Sequence, residues 1–362
     1  MHRTRPVERA RIIKIIQKLK GAFENKMTEY STMLGKCVNQ DCTKMLAEMP
    51  DESIDLIVTA PPFHTRNITE GKDACTQYLT WLTDILRKAG DKLKEEGSMV
   101  VVMPSAFCEG RPVQSLYLYE FILMMCNDLD FKLVQTFYWE NTSMRTRYPE
   151  WVNKRKIRCK NTVSTILWFS KSDFPKANTK NVLKPYSKKH TTWMKRQAKF
   201  PVDVEVRPTG GAVYPKEWAV NNGGAIPGTL LSCSNSDGCS NYIKMCAKLN
   251  IPACQNRFPK KIVEFFVKML TEEGDLVVDI FGGSNTTGEI AEILNRKWLT
   301  CELEQSYVAA SALRFLSSPA AARVTYSRLM LGESMKITPH WPKPRQKKPE
   351  KQKKERGENR SA

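Results

Sequence analysis

Long hydrophobic runs are missing from this 362-residue chain, and no stretch approaches the ~20 apolar residues that a membrane-spanning helix requires. The opening segment MHRTRPVERARIIKIIQKLK has no uninterrupted apolar core of the kind a secretory signal carries, so an intracellular protein is expected. Histidine is scarce (His2, His64, His190 and His340), and no Cys-x-x-Cys pair occurs among the eleven cysteines. Thiolates and imidazoles at ligand spacing are what hold a structural zinc, so no metal site is expected. The cysteines are odd in number and scattered from Cys37 to Cys301, and several, such as Cys126 in FILMMCNDL, sit among apolar residues. That pattern reads as reduced thiols in a reducing compartment and excludes a disulfide framework. Acidic residues are also short in supply, since 38 Asp and Glu against 57 Lys and Arg leave a formal charge of +19.

The excess is concentrated at the ends. Residues 1–20 hold seven Lys or Arg against one Glu, and residues 343–362 hold nine against three, so each end carries +6 and the body keeps +7. A basic body with two basic ends suits a polyanionic partner, and a nucleic acid is the usual one. A hydrophobic content of 41% is normal for a chain with a proper core.

Residues 7–23 form an amphipathic pattern with Ile12, Ile13, Ile16 and Leu19 on one side, giving a basic N-terminal helix or extension over 1–34. Strand character recurs at 54–59 (IDLIVT), 99–103 (MVVVM), 134–139 (VQTFYW), 163–169 (VSTILWF), 275–280 (DLVVDI) and 297–303 (KWLTCEL). Several are nearly continuous β-branched runs, as expected of strands buried on both faces of a parallel sheet. Helical segments at 78–96, 117–128, 260–273, 287–295 and 306–316 alternate with them, which predicts an α/β doubly wound, mostly parallel sheet. Residues 175–255 are rich in Pro, Gly, Asn, Ser and Lys without periodicity, an irregular insert long enough to expect a function for it. From 339 to 362 the composition turns to Lys, Pro, Glu and Gln, a disordered basic tail.

Two segments carry chemistry. In DLVVDIFGGSNTTG (275–288) a buried strand runs into a glycine turn and a helix, placing backbone N–H groups at the carboxyl end of a strand, where α/β folds bind nucleotides. No lysine follows the glycines, so a phosphate-gripping P-loop does not fit. The next strand ends in Glu302, placed to accept from ribose hydroxyls, and this series by itself admits a dinucleotide or S-adenosylmethionine. In SIDLIVTAPPF (53–63) a hydrophobic strand runs into two prolines and an aromatic residue. Proline fixes φ and has no N–H, so the first proline's carbonyl is held as an acceptor beside a ring, an arrangement suited to a planar base bearing an amino group.

With these motifs the sequence resembles the amino-group DNA methyltransferases of the β group, and among them the cytosine-N4-specific type II enzymes. APPF stands where that family carries Ser, Asp or Asn before Pro-Pro and Tyr or Phe, and DIFGGSNTTG resembles its cofactor loop. NQDCTKMLAEMPDESIDLIVTAPPF, WVNKRKIRCKNTVSTILWFSK, VNNGGAIPGTLL and the stretch from NRFPKKIVEFF to ALRF match in order, catalytic motif first, over roughly residues 35–316. The resemblance implies a Rossmann-like fold with a catalytic half at 35–174, a target-recognition region at 175–255 and a cofactor half at 256–330. It implies that Asp279, Phe281, Gly282, Gly283, Ser284 and Thr286 form the S-adenosylmethionine loop, with Glu302 on the ribose, Asp41 near the adenine or methionine end, and Phe258 and Pro259 closing over the methionine. Ala60, Pro61, Pro62 and Phe63 become the catalytic segment, which takes a cytosine flipped out of double-stranded DNA. Cytosine-C5 methylation needs a Pro-Cys nucleophile, and none is present.

Ala60 departs from the family, because serine or aspartate there would accept a hydrogen bond from the target amine and alanine has no acceptor. Three accounts stay open: the Pro61 carbonyl, helped by Thr59, suffices; the protein binds without catalysing; or the alanine is an introduced replacement. Adenine-N6 methylation is the alternative reaction. Arg145, Arg147, Lys154, Arg155, Lys156 and Arg158 are expected at phosphates, and Lys188 and Lys189, near Tyr186 and Trp193, in the DNA-reading insert. The sequence leaves monomer or dimer undecided.

Overall fold

The computed structural model describes residues 28–62, 72–143, 150–202, 204–206, 212–213, 219–235, 240–254 and 257–341. The expected N-terminal helix at 7–23, the tail beyond 341, Phe63, Arg145 and Arg147 lie outside the described residues.

Among the described residues the main sheet is built from β1 (Glu29–Ser31), β2 (Gly35–Asn39), β3 (Ile54–Thr59), β4 (Leu93–Pro104), β5 (Lys132–Asn141) and β6 (Val163–Ser170). A small ribbon of β7 (Glu205–Val206) and β8 (Ala212–Val213) stands apart from it, and β9 (Leu230–Cys233), β10 (Leu276–Asp279), β11 (Lys297–Glu302) and β12 (Met335–Lys336) complete it. The strand order is β12-β1-β2-β11-β10-β3-β4-β6-β5-β9. The five central strands β2, β11, β10, β3 and β4 are parallel, and β6 runs antiparallel to both of its neighbours.

The β-branched runs form the centre because both faces of these strands are covered. Every residue of β3 is buried, and its side chains enter opposite cores, Leu56 and Val58 on one face and Ile57 on the other, with Ile54 brought to the Ile57 side by a register shift between Ile54 and Leu56. The helices α1 (Cys42–Ala47), α2 (Lys72–Lys92) and α3 (Tyr117–Leu123) pack against the first face through residues such as Leu46, Leu82 and Phe121. In the insert, α4 (Lys188–Lys199) and α5 (Ser240–Leu249) follow, and α6 (Lys260–Leu270), α7 (Thr286–Ile293), α8 (Gln305–Ser311) and α9 (Pro319–Met330) lie over the second face. The doubly wound α/β class expected from the alternation is the architecture found.

Three differences have local causes. The helix expected at 78–96 stops at Lys92 because Leu93 already pairs with Ile54 in the sheet. The stretch 175–255 is not irregular throughout. Ser187 caps α4 by accepting from the His190 N–H at 3.1 Å, and β9 joins the main sheet beside β5. The regularity of α4 escapes a periodicity search because its ordered face is a ladder of Tyr186, His190 and Trp193, with centroid spacings of 4.8 and 5.4 Å, while its other residues are mostly exposed and polar. Finally, β1 and β12 extend the sheet beyond both the expected start near 35 and the end near 330.

Packing around Trp298 sets the position of α7. Its indole is buried, stacks on Phe315 at 5.6 Å and donates to Glu292 at 2.6 Å, and Gly288 of α7 lies directly against it. A Cβ at Gly288 would stand 2.7 Å from the indole and 2.4 Å from Asn285 Oδ1, the atom that caps the helix. Alanine is intrinsically the better helix former by ~1 kcal/mol, but overpacking and loss of the cap outweigh that gain. Gly288→Ala is therefore expected to lower the urea-unfolding free energy by about 2 kcal/mol, and a gain in stability would contradict this packing.

Candidate active site

The chain leaves β3 toward β4 and leaves β10 toward β11, in opposite directions from two adjacent strands, and a crevice opens at such a switch point beyond the carboxyl ends. The two chemical segments of the sequence both end there. Thr59, the last residue of β3, donates its hydroxyl to Asp279 Oδ1 at 2.9 Å across 220 residues of sequence. Ala60, half-buried, and Pro61, buried, follow, and Pro62 is exposed at the crevice. The Thr59 hydroxyl is fully buried and donates to Asp279, so any help it gives Pro61 comes from holding the strand and not from direct contact with a target amine.

Asp279 is 1% exposed, and both of its oxygens are taken by protein donors. Oδ1 also accepts from the Phe281 N–H at 3.1 Å, and Oδ2 accepts from the Thr287 hydroxyl of α7 at 2.7 Å. Burial pushes its carboxyl up to about 6 and the Glu302 charge adds to this, while the three hydrogen bonds pull the other way. Its place is beneath the loop, with no open face toward a ligand. Ser284 and Thr286 are turned inward too, both buried, with their hydroxyls accepting from Arg314 at 2.8 and 2.9 Å.

The surface of the loop is made by other atoms. Gly283, at φ +50°, donates its N–H to Glu302 Oε2 at 2.9 Å, and Gly282 donates to the Cys301 carbonyl at 2.8 Å. A Cβ on Gly282 would stand 3.1 Å from that carbonyl, so the loop lies flat on the end of β11. Phe281 is half-buried against Trp81 of α2, centroids 5.9 Å apart, and Trp81 is 43% exposed. Core packing and an exposed aromatic wall are both true of Phe281. Asp41 follows β2, whose Asn39 pairs with Glu302, so the two carboxylates come from adjoining strand ends. The Thr43 hydroxyl and N–H, the latter at 2.8 Å, hold the Asp41 carboxyl below its usual value. Phe258 and Pro259 precede α6, and the Phe258 carbonyl accepts from Thr286 at 3.4 Å, which brings this segment beside the loop.

Three residues that fasten the loop have no motif to announce them. Arg314, 1% exposed, reaches the Ser284 carbonyl and hydroxyl, Thr286, and Glu289 at 2.8 Å, with its guanidinium 4.7 Å from the Tyr242 ring centre. Tyr30 of β1 accepts from Asn285 at 2.7 Å, which holds the left-handed residue (φ +52°) opening α7. Trp81 is the third. Only a structural alignment of distant segments could have found them, because each acts across more than twenty residues of chain.

The basic residues are distributed over two places. The connection from β5 to β6 leaves after Asn141 and returns at Val163, at the same edge as Pro104 of β4 and hence at the crevice edge. Lys154, Arg155 and Lys156 are exposed on it; Arg155 stacks over Trp151 at 4.8 Å and shares Glu150 with Lys154. Arg158 lies 3.5 Å over the Phe107 ring, from the loop after β4. Lys188 and Lys189 are exposed on the first turn of α4, in the insert. Among the described residues no cluster of His, Cys, Asp and Glu is arranged to hold a metal, and no helix is long and apolar enough to cross a membrane.

A glycine loop and an acidic strand end at the switch point of a doubly wound sheet, facing a Pro-Pro turn, define a protein of the amino-group methyltransferase class. The chain belongs to the DNA methylase family (N6_N4_Mtase), whose pattern spans residues 54–313. It is similar to the type II methyltransferase M.PvuII of Proteus hauseri, 41% identical over 316 residues, covering 86% of this chain and 94% of that one. It is 26% identical over 289 residues to M.BamHI of Bacillus amyloliquefaciens, covering 79% of this chain and 58% of the other. The solved structure of PvuII DNA methyltransferase (cytosine-N4-specific) superposes with a TM-score of 0.70 at 36% identity, over 87% of this chain and 98% of that one.

Removing Arg314 would strip three donors from the loop and leave the buried Glu289 with Lys260 alone. Arg314→Met is expected to cost about 3 kcal/mol in chemical denaturation, since the buried Glu289 loses one of its two cationic partners and the Ser284 and Thr286 oxygens lose their donor. A loss under ~1 kcal/mol would show that the loop does not depend on it.

Proposed function

We propose that this protein transfers a methyl group from S-adenosylmethionine to the N4 amine of cytosine in double-stranded DNA. The observation that carries the reading is the meeting of the Thr59–Pro62 strand end with the Asp279–Ser284 loop, in a chain 41% identical to M.PvuII along nearly its whole length.

The residues present fit the cofactor. Gly282 lets the loop lie against β11, Gly283 leaves its half-buried backbone open to approach, and the Glu302 carboxylate at the next strand end is half-exposed, as a ribose acceptor must be. Asp41 supplies a second carboxylate, held ionised by Thr43, and Phe281 with Trp81 supplies an aromatic wall. Phe258 and Pro259 border the far side. When bound, S-adenosylmethionine supplies an electrophilic methyl group on a sulfonium.

The chain's own part is placement. Pro61 and Pro62 cannot donate hydrogen bonds from their backbone nitrogens, and the Pro61 carbonyl accepts a hydrogen bond from the cytosine amine, which gives up its extra proton to solvent once the methyl group is on nitrogen. That hydrogen bond draws the nitrogen lone pair out of conjugation with the ring and toward the methyl donor, and Phe63 stacks on the base. The amine attacks directly, so no cysteine nucleophile is needed, and alignment provides most of the rate gain. The DNA runs along the edge that bears Lys154, Arg155, Lys156 and Arg158, with Arg145 and Arg147 in the same connection. These residues and Lys188 and Lys189 meet phosphates, while the insert at 175–255 reads sequence.

Ala60 leaves the amine with one acceptor where relatives of this class offer two, and losing such a contact costs about 10²–10³ in rate. Nucleoside mass spectrometry after incubation with S-adenosylmethionine and mixed-sequence duplex DNA is expected to show N4-methylcytosine. Ala60→Ser should raise kcat about 10²-fold with little change in KM. Methyladenine would overturn the choice of base, and no product from either chain would mean a DNA-binding protein without transfer.

A further inference from the structure

We propose that Thr59 is a positioning residue that couples methyl-donor binding to placement of the target amine, by tying the strand that carries Pro61 and Pro62 to the carboxylate from which the glycine loop hangs. The inference rests on the reading that this loop holds S-adenosylmethionine. Thr59 is fully buried, with no surface open to a ligand, so it acts through Asp279. One oxygen of that carboxylate is shared between the Thr59 hydroxyl at 2.9 Å and the Phe281 N–H at 3.1 Å, the first amide of the loop. The other oxygen takes Thr287 at 2.7 Å, on the helix that the loop opens. The catalytic strand, the loop and the helix are thereby referred to a single group, and a shift of any one changes the acceptor geometry for the other two.

The coupling requires Asp279 to accept at both oxygens, which the anion does and the acid does less well. The groups facing it are Thr59 from β3, Thr287 from α7, the Phe281 amide, and, from β11, the Glu302 carboxylate and the buried Cys301 thiol. Burial and Glu302 favour the acid, whereas the hydroxyl donors favour the anion, and the balance stands at about 6. Because the folded value lies above that of a free carboxyl, the fold itself is favoured by protonation. Loop geometry, by contrast, is complete only above that pH. Cofactor affinity is therefore full at neutral pH and declines as the pH falls through about 6.

Calorimetric titration of S-adenosylmethionine between pH 5 and 8.5 tests this in the unaltered chain and in Thr59→Val and Thr59→Ser. Valine keeps the shape and removes a donor that favours the anion, so the acid limb should move up by about one pH unit. The serine variant should retain the original limb, and kcat of the valine variant at saturating cofactor should fall about tenfold. If Thr59→Val does not fold, Thr59→Cys, a weak donor, should place the limb between the two. An unmoved limb in a folded variant would overturn the coupling, because a purely structural loss lowers the melting temperature without moving a titration. Failure of the unaltered chain to bind S-adenosylmethionine at any pH would instead overturn the cofactor reading, and the coupling with it.

Discussion

Burying a carboxylate without partners costs several kcal/mol, so a buried one dictates where its donors must be. Asp279 imposes that requirement at the centre of this sheet. It draws a hydroxyl from the neighbouring strand, an amide from the loop it begins, and a hydroxyl from the helix beyond. The Pro-Pro turn and the glycine loop share a crevice because they end two paired strands at the switch point, and the Asp279 side chain ties those ends together. The turn and the loop, to which the proposed function gives the target amine and the methyl donor, are therefore tied to each other by the fold itself.

Around that point the molecule supports the loop from behind and leaves its front open. Arg314, Tyr30 and Trp298 fill the space under residues 284–288 with hydrogen bonds and stacked rings, all buried. Gly283, Glu302, Asp41 and the half-exposed Phe281–Trp81 pair form what remains accessible, with Gly282 buried against the end of β11. A rigid back and an open front suit a site in which alignment does most of the chemistry. Catalytic strand first and cofactor strand second is no obstacle, because sheet pairing between β3 and β10 does not depend on which is made first along the chain.

The central strands were legible in sequence because burial on both faces leaves a continuous β-branched record, and β3 has the predicted bounds. The two chemical segments were legible because proline and glycine constrain the backbone locally. What the sequence hid was relational. Ser284 and Thr286 stand in the loop motif but point at Arg314, thirty and twenty-eight residues away. Thr59 stands next to the Pro-Pro turn in sequence as a helper of Pro61, but its tie to Asp279 across the sheet cannot be read from the chain. The helix at Lys188–Lys199 went unread because stacked aromatic rings, not an apolar stripe, order its face.

In the proposed reaction the methyl donor and the target amine meet where β3 and β10 end side by side. A crystal structure of the chain with S-adenosylmethionine bound tests it most directly. The account predicts the ribose at Glu302, the cofactor lying over Gly282 and Gly283, and the methyl carbon directed at the crevice beside Pro61. A cofactor bound elsewhere, or one with its methyl turned away from Pro61, would contradict it.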